Sequence, residues 1–141
     1  MSSCPDKKII EFLHEHHVVT LSTVQNNAPW CAHCFYTFDE KNACFYVASD
    51  MHTRHAQEAL QNSSVAGGVV LETKTVGKIR GLQFTGTMVL PEGEDAAYAK
   101  KKYLLAFPFA VVKKNTIWKI QIEYAKYTDN RLGFGTKIIW E

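Results

Sequence analysis

Seven consecutive residues, Ser49-Asp50-Met51-His52-Thr53-Arg54-His55, concentrate the side chains best suited to holding an anion. They lie between a β-rich stretch and a short helical one, and a helix start offers unpaired N–H groups with a partial positive charge. Thr53 adds a hydroxyl donor, Arg54 can grip two oxygens of one phosphate, and His52 or His55 can add a further donor. The same residue types also serve ordinary N-capping with solvated bases alongside, and in an arbitrary protein that use is the commoner one. Arg80 and Gln83 form a second candidate. Gln83 faces away from Leu82 and Phe84, and its amide can read the edge of a heterocycle. Taken alone, solvent-facing strand residues are the simpler account of this pair.

Other constellations lose force on spacing. Cys31-Ala32-His33-Cys34 has the form C-x-x-C, but on a strand residues three apart point to opposite faces, so the two thiols neither pair nor chelate together. Zinc would need a second ligand pair of similar spacing, and covalent haem attachment would need a His where Phe35 stands. His14, His16 and His17 gather at the end of the first helix, where favourable interaction with the helix dipole explains them better than a metal. No G-x-S-x-G, P-loop or G-x-G-x-x-G is present, and no nucleophile–base arrangement stands out. If the chain is an enzyme, the reactive group is borrowed from a cofactor.

These residues need a scaffold. The chain has 141 residues, 46% of them apolar, which suits one domain over residues 1–141 with its own core. A net charge of +2, with both signs mixed along the chain, gives no electrostatic case for a nucleic-acid partner. The N-terminal residues lack an export signal's apolar stretch, and no apolar run approaches membrane-spanning length. A cytoplasmic protein with four free thiols is the expectation.

Periodicity predicts a helix over residues 6–16, then a β-branched strand at 18–23 and a turn at 25–27. In 29–38, Trp30, Ala32, Cys34, Tyr36 and Phe38 share one face, with Cys31, His33, Phe35 and Thr37 on the other. A tight connection at 39–42 joins this strand to 43–49 as a hairpin. A short helix follows at 54–60, then a strand at 65–71 that reads as buried on both faces. In the strand at 79–90, Leu82, Phe84, Gly86, Met88 and Leu90 alternate with Gln83, Thr85, Thr87 and Val89. A helix at 94–107 stops at Pro108, the strand 116–126 places Trp118, Ile120, Ile122 and Tyr124 on one face, and a last strand spans 137–140. Six or seven strands joined mostly by short turns favour antiparallel pairing, and so long a sheet closes into a barrel to protect its edges.

That order of elements resembles the FMN-binding split barrels, relatives of pyridoxamine 5′-phosphate oxidase. The resemblance runs over about residues 6–125. It rests on the leading helix, the hairpin, the turn at Thr53-Arg54-His55 and the strand ending Phe84-Thr85-Gly86. Within that superfamily the chain is most similar to a small bacterial group. Val18-Val19-Thr20, Thr53-Arg54-His55-Ala56-Gln57, Ile79-Arg80-Gly81, Thr128-Asp129-Asn130 and Leu132-Gly133-Phe134-Gly135 carry that likeness.

The resemblance implies an antiparallel split β-barrel with peripheral helices and a homodimer with two FMN sites at the subunit interface. It places the flavin ring along residues 31–36, including Ala32, His33, Cys34 and Tyr36, with Tyr46 and Val47 bordering it. Thr53, Arg54 and His55 take the phosphate, Arg80 and Gln83 approach from the neighbouring strand, and Trp118 with the C-terminal segment closes the site from the second subunit. The implied activity passes electrons between a reduced nicotinamide and a small organic substrate. Departures argue against pyridoxamine phosphate oxidation itself. Tyr36 stands where the oxidase has a lysine, Gly81 where it has a glutamine, and its arginine-bearing C-terminal segment has no clear match. The alternative on the same barrel is a non-catalytic flavin- or haem-binding module, with His33, His52 or His55 as the iron ligand.

Overall fold

The computed structural model describes residues 4–112 and 116–141. In chain order these form α1 (Lys7–Glu15), β1 (Val18–Gln25), β2 (Ala28–Asp39), β3 (Cys44–Ala48), α2 (Arg54–Gln61), β4 (Ser64–Val70), β5 (Arg80–Val89), α3 (Gly93–Ala106), β6 (Ile117–Asp129) and β7 (Lys137–Trp140). Short 3-10 turns at Val76–Lys78, Pro108–Val112 and Asn130–Leu132 complete the described elements.

Local chemistry sets the boundaries. Asp6 opens α1 by accepting from the Lys8 N–H at 2.8 Å, and Ile9, Phe12 and Leu13 then fall on one buried face. β1 and β2 meet through Asn26 and Asn27, both with positive φ, the two-residue turn whose twist matches paired strands. Asp39 organises the next turn by accepting from the Asn42 main chain and side chain. β2 alternates as its sequence predicts: Cys34, Tyr36 and Phe38 are buried, while Cys31, His33 and Phe35 are exposed. The two thiols of C-x-x-C therefore lie on opposite faces.

The strands form one antiparallel sheet in the order β3-β2-β1-β4-β5-β6-β7, and β6 pairs back onto β3. Six strands close the barrel and β7 extends it. β6 makes the split: residues 117–121 pair with β3, and residues 125–128 pair with β7. Between these halves Thr85 pairs with Tyr124 but Gly86 pairs with Ile122, leaving Glu123 as an extra residue, a β-bulge. The bulge reverses the alternation. Trp118, Ile120 and Ile122 are buried as predicted, but Tyr124 turns outward and Ala125 and Tyr127 take the inner positions.

The core is aromatic: Phe12, Tyr36, Phe45, Phe84, Trp118, Tyr127 and Trp140 fill the barrel with Leu21, Leu82, Met88 and Ile120. Each such burial contributes about 1.5–3 kcal/mol. Ala56 and Ala59 of α2 reach the same core. A second cluster of Cys44, Tyr46, Ala99 and Tyr103 joins α3 to the outside of β3. β3 is thus the strand covered on both faces. The expectation that residues 65–71 hold that position is corrected: Val65 and Val69 are buried, but Val70 is 67% exposed because no helix layer covers β4. Leu90 likewise falls past the end of β5, at the surface.

Candidate functional site

The candidate anion-binding segment, residues 49–55, follows directly from β3 and ends in the first turn of α2. Thr53 is the N-cap, its hydroxyl accepting from the Ala56 N–H at 3.3 Å and donating to the Asp50 carbonyl at 2.8 Å. The capping role is thus the one the geometry shows, the hydroxyl's one proton going to the Asp50 carbonyl. The geometry leaves the Arg54 and His55 N–H groups without intrahelical acceptors. Asp50 turns its carboxylate to the His52 N–H, and His52 itself is exposed.

His55 folds back against the barrel wall. Its Nε2 lies 2.8 Å from Ser49 Oγ, 3.5 Å from Thr53 Oγ1 and 4.0 Å from Cys34 Sγ, and Cys34 Sγ is 3.5 Å from Ser49 Oγ. Burial pushes the His55 imidazole below its ordinary value and the Cys34 thiol above its own, so both are neutral at pH 7. Trp118, inside the barrel, donates its indole N–H to the Ser49 carbonyl at 3.1 Å. One connected cluster thus contains Cys34, Ser49, Thr53, His55 and Trp118.

Arg54 stands on the other flank of α2. Its Nε donates to Glu58 Oε2 at 2.9 Å, and its guanidinium carbon sits 4.2 Å above the Trp30 ring centroid. Glu58 also accepts from Thr23 at 2.8 Å, and these two bonds hold its carboxyl below the ordinary range. Trp30, Thr23 and Glu58 were missed as site residues. Glu58 carries a sequence signal, four residues beyond Arg54 on the same helix face; Trp30 carries none.

The remaining candidates divide by strand face. His33 points outward, its Nδ1 3.1 Å from Thr20 Oγ1. It begins a row across the outer sheet in which His33 pairs with Thr20, Thr20 with Gly68, Gly68 with Gln83 and Gln83 with Lys126. A groove of about 470 Å³ opens on this row, lined by Thr20, Ser22, Gly68, Gly81, Gln83 and Thr128 among others. Arg80 borders the groove, but its guanidinium turns the other way, 3.2 Å from Glu15 Oε2 and over the Phe12 ring. Three residues apart on one strand, Arg80 and Gln83 cannot act side by side. Ala32 is half-buried on β2. Tyr36 and Val47 are core residues, Tyr36 donating to the Leu13 carbonyl at 2.7 Å, and Tyr46 lies under α3 with its hydroxyl on Asp39. The side chains of Tyr36 and Val47 thus point into the barrel core and that of Tyr46 is covered by α3, so none of the three lines the outer groove.

Among the described residues no three His, Cys, Asp or Glu side chains are grouped to hold a metal, and no helix is long and apolar enough to cross a membrane.

Comparisons with known proteins place this geometry. No family model matches the chain. Among solved structures it is similar to a heme binding protein from Mycobacterium smegmatis (TM-score 0.79, 15% identity), covering 96% of this chain and 58% of that longer one. It is also similar to an FAD-binding protein from Mesorhizobium loti (TM-score 0.70, 13% identity, 86% and 91% coverage). A third likeness is to a Listeria innocua protein named provisionally as a pyridoxamine 5′-phosphate oxidase (TM-score 0.66, 20% identity, 85% and 94% coverage). At such identities the likeness establishes the fold, a mainly antiparallel split barrel of seven strands. In sequence the chain is 39% identical over 134 residues to the UPF0306 protein of Serratia proteamaculans, covering 95% of this chain and 93% of that protein. It is 43% identical over 132 residues to UPF0306 protein YhbP of Escherichia fergusonii, covering 94% and 90%. With two in five residues shared over nearly the whole of both chains, this protein belongs to the UPF0306 family.

Proposed function

We propose that the chain binds FMN, as a homodimer with a site at each subunit interface, and passes electrons between a reduced nicotinamide and a small organic substrate. The observation that carries this reading is the start of α2: Thr53 caps it, its first N–H groups lack intrahelical acceptors, and Arg54 and His55 of its first turn flank it, Arg54 with the Nη end of its guanidinium unengaged by Glu58. That set fits a phosphate monoester. The two carboxylates nearby are already engaged, Asp50 by the His52 N–H and Glu58 by Arg54 and Thr23.

The outer row supports a flat ring. Strand glycine weakens a sheet and often marks close approach by a ligand. A Cβ at Gly81 would meet nothing nearer than 3.5 Å, so the fold itself does not require glycine there, and the glycine keeps the groove open. Gln83, pointing outward beside it, supplies an amide for a heterocycle edge. FMN, when bound, supplies reversible hydride and electron transfer. The residues of this chain anchor the phosphate through Thr53 and Arg54, add a donor at His55 and orient the ring. Purified protein is expected to be yellow or to take up FMN on titration, and Arg54→Ala to weaken that uptake at least tenfold. Colourless protein that ignores added FMN overturns the reading.

One observation favours haem as the second reading. Thr20 engages His33 Nδ1, which orients the ring and leaves Nε2 as the nitrogen for iron, since a hydrogen bond at one ring nitrogen fixes which nitrogen is left to a metal. The mycobacterial neighbour is named for haem. A Soret band on haem addition that His33→Ala abolishes would establish this reading over the first.

A further inference from the structure

Arg54 is the only lysine or arginine between residues 42 and 73, so it is the one permanent positive charge that this stretch of chain itself supplies to the turn. An exposed arginine normally samples many rotamers, and fixing them costs binding energy. Here three elements fix it. β2 supplies the Trp30 ring beneath the guanidinium carbon, α2 supplies Glu58 to Nε, and β1 supplies Thr23 to hold Glu58. Thr23 and Trp30 are register partners across the β1–β2 hairpin, so the ring and the hydroxyl come from one rigid pair. Glu58 is only 5% exposed and Thr23 1%, which sets this arrangement apart from a mobile surface ion pair. With its carbon over Trp30 and its Nε on Glu58, the guanidinium keeps its Nη groups for a ligand, the end that can grip two oxygens of one phosphate.

We infer that Trp30 and Glu58 are positioning residues that hold Arg54 for a terminal phosphate and so make the site select phosphorylated over unphosphorylated flavin. The inference rests on the FMN reading above and adds the ligand feature that is selected and the residues that select it. The competing role is mechanical: the same contacts tie α2 to the sheet. The two roles differ in what they do to riboflavin, which has the ring and ribityl chain of FMN and no phosphate.

The test titrates FMN and riboflavin into the full chain and five variants. Trp30→Leu and Glu58→Gln are each expected to weaken FMN about five- to tenfold and to leave riboflavin within twofold. Trp30→Phe, which keeps a ring under the guanidinium, should restore most of the FMN affinity. In an Arg54→Ala background, Glu58→Gln should cause no further loss, because its partner is gone. Trp30 lies on the surface, so Trp30→Leu keeps the test valid should Glu58→Gln fold poorly. Equal losses for FMN and riboflavin, or a full Glu58→Gln effect without Arg54, overturn the inference and leave FMN binding standing. Failure of the unsubstituted chain to bind FMN overturns both.

Discussion

His55 illustrates how a single side chain carries a pH dependence. Its imidazole is half-buried against Ser49 and Cys34, and burial lowers its pKa below the ordinary 6.5. In the unfolded chain it binds a proton at about 6.5; in the fold it resists until lower pH. Stability is therefore complete above 6.5 and falls as pH drops toward the folded value, because the unfolded state holds more protons in that window. His16 acts with the same sign, lowered first by burial and then by Arg80 beside it. Urea midpoints measured between about pH 8 and pH 5 should fall for the unsubstituted chain, and His55→Gln should flatten part of that slope. An unchanged slope in His55→Gln would remove His55 as its source. A bound phosphate favours protonated His55, so it should reduce the fall.

At the scale of elements, two glycines on β5 make opposite predictions. A Cβ at Gly86 would sit 2.2 Å from the Gln121 carbonyl oxygen, where the β6 bulge presses the strands together. Gly86→Ala should cost about 3 kcal/mol in denaturant unfolding. At Gly81 the nearest atoms leave ordinary contact distance, so Gly81→Ala should be neutral or stabilise by about 0.5 kcal/mol while shrinking the groove and weakening flavin uptake. Stability and binding should thus move in opposite directions at Gly81 and fall together at Gly86. The contrast shows what a sequence discloses. Alternation along β2 and the polar turn before α2 were legible because each is a local pattern with a local cause. The bulge was not: Glu123 and Tyr124 look like any alternating pair, and only the partner register on β5 shows the phase change. Arg54 was legible as a basic residue at a helix start, but Trp30 beneath it and Thr23, which holds its partner Glu58, lie 24 and 31 positions away from it in sequence. The reach of Arg80 toward Glu15 depended in the same way on α1 packing at the barrel end.

For the molecule as a whole, the open outer sheet raises the question of what covers it. Ser22, Ala66 and Thr85 are partners across β1, β4 and β5, and Thr20 and Gly68 lie one row away. Such small side chains let a second sheet approach closely, and Val18 and Phe35 stand exposed beside them. A homodimer through this face would also border the groove at Gly68 and Gln83, which is where the proposed cofactor ring lies. Light scattering of the purified chain should then give twice the 16.0 kDa chain mass. Ala66 is exposed on the outer face and supports no core contact, so Ala66→Arg should leave the barrel folded by circular dichroism while blocking that approach. The variant should elute as a monomer and lose flavin affinity in step with the dimer. A variant that stays dimeric with unchanged flavin binding would move the interface elsewhere. A monomer that binds flavin as tightly as the dimer would confine the site to one chain and remove the partner from it.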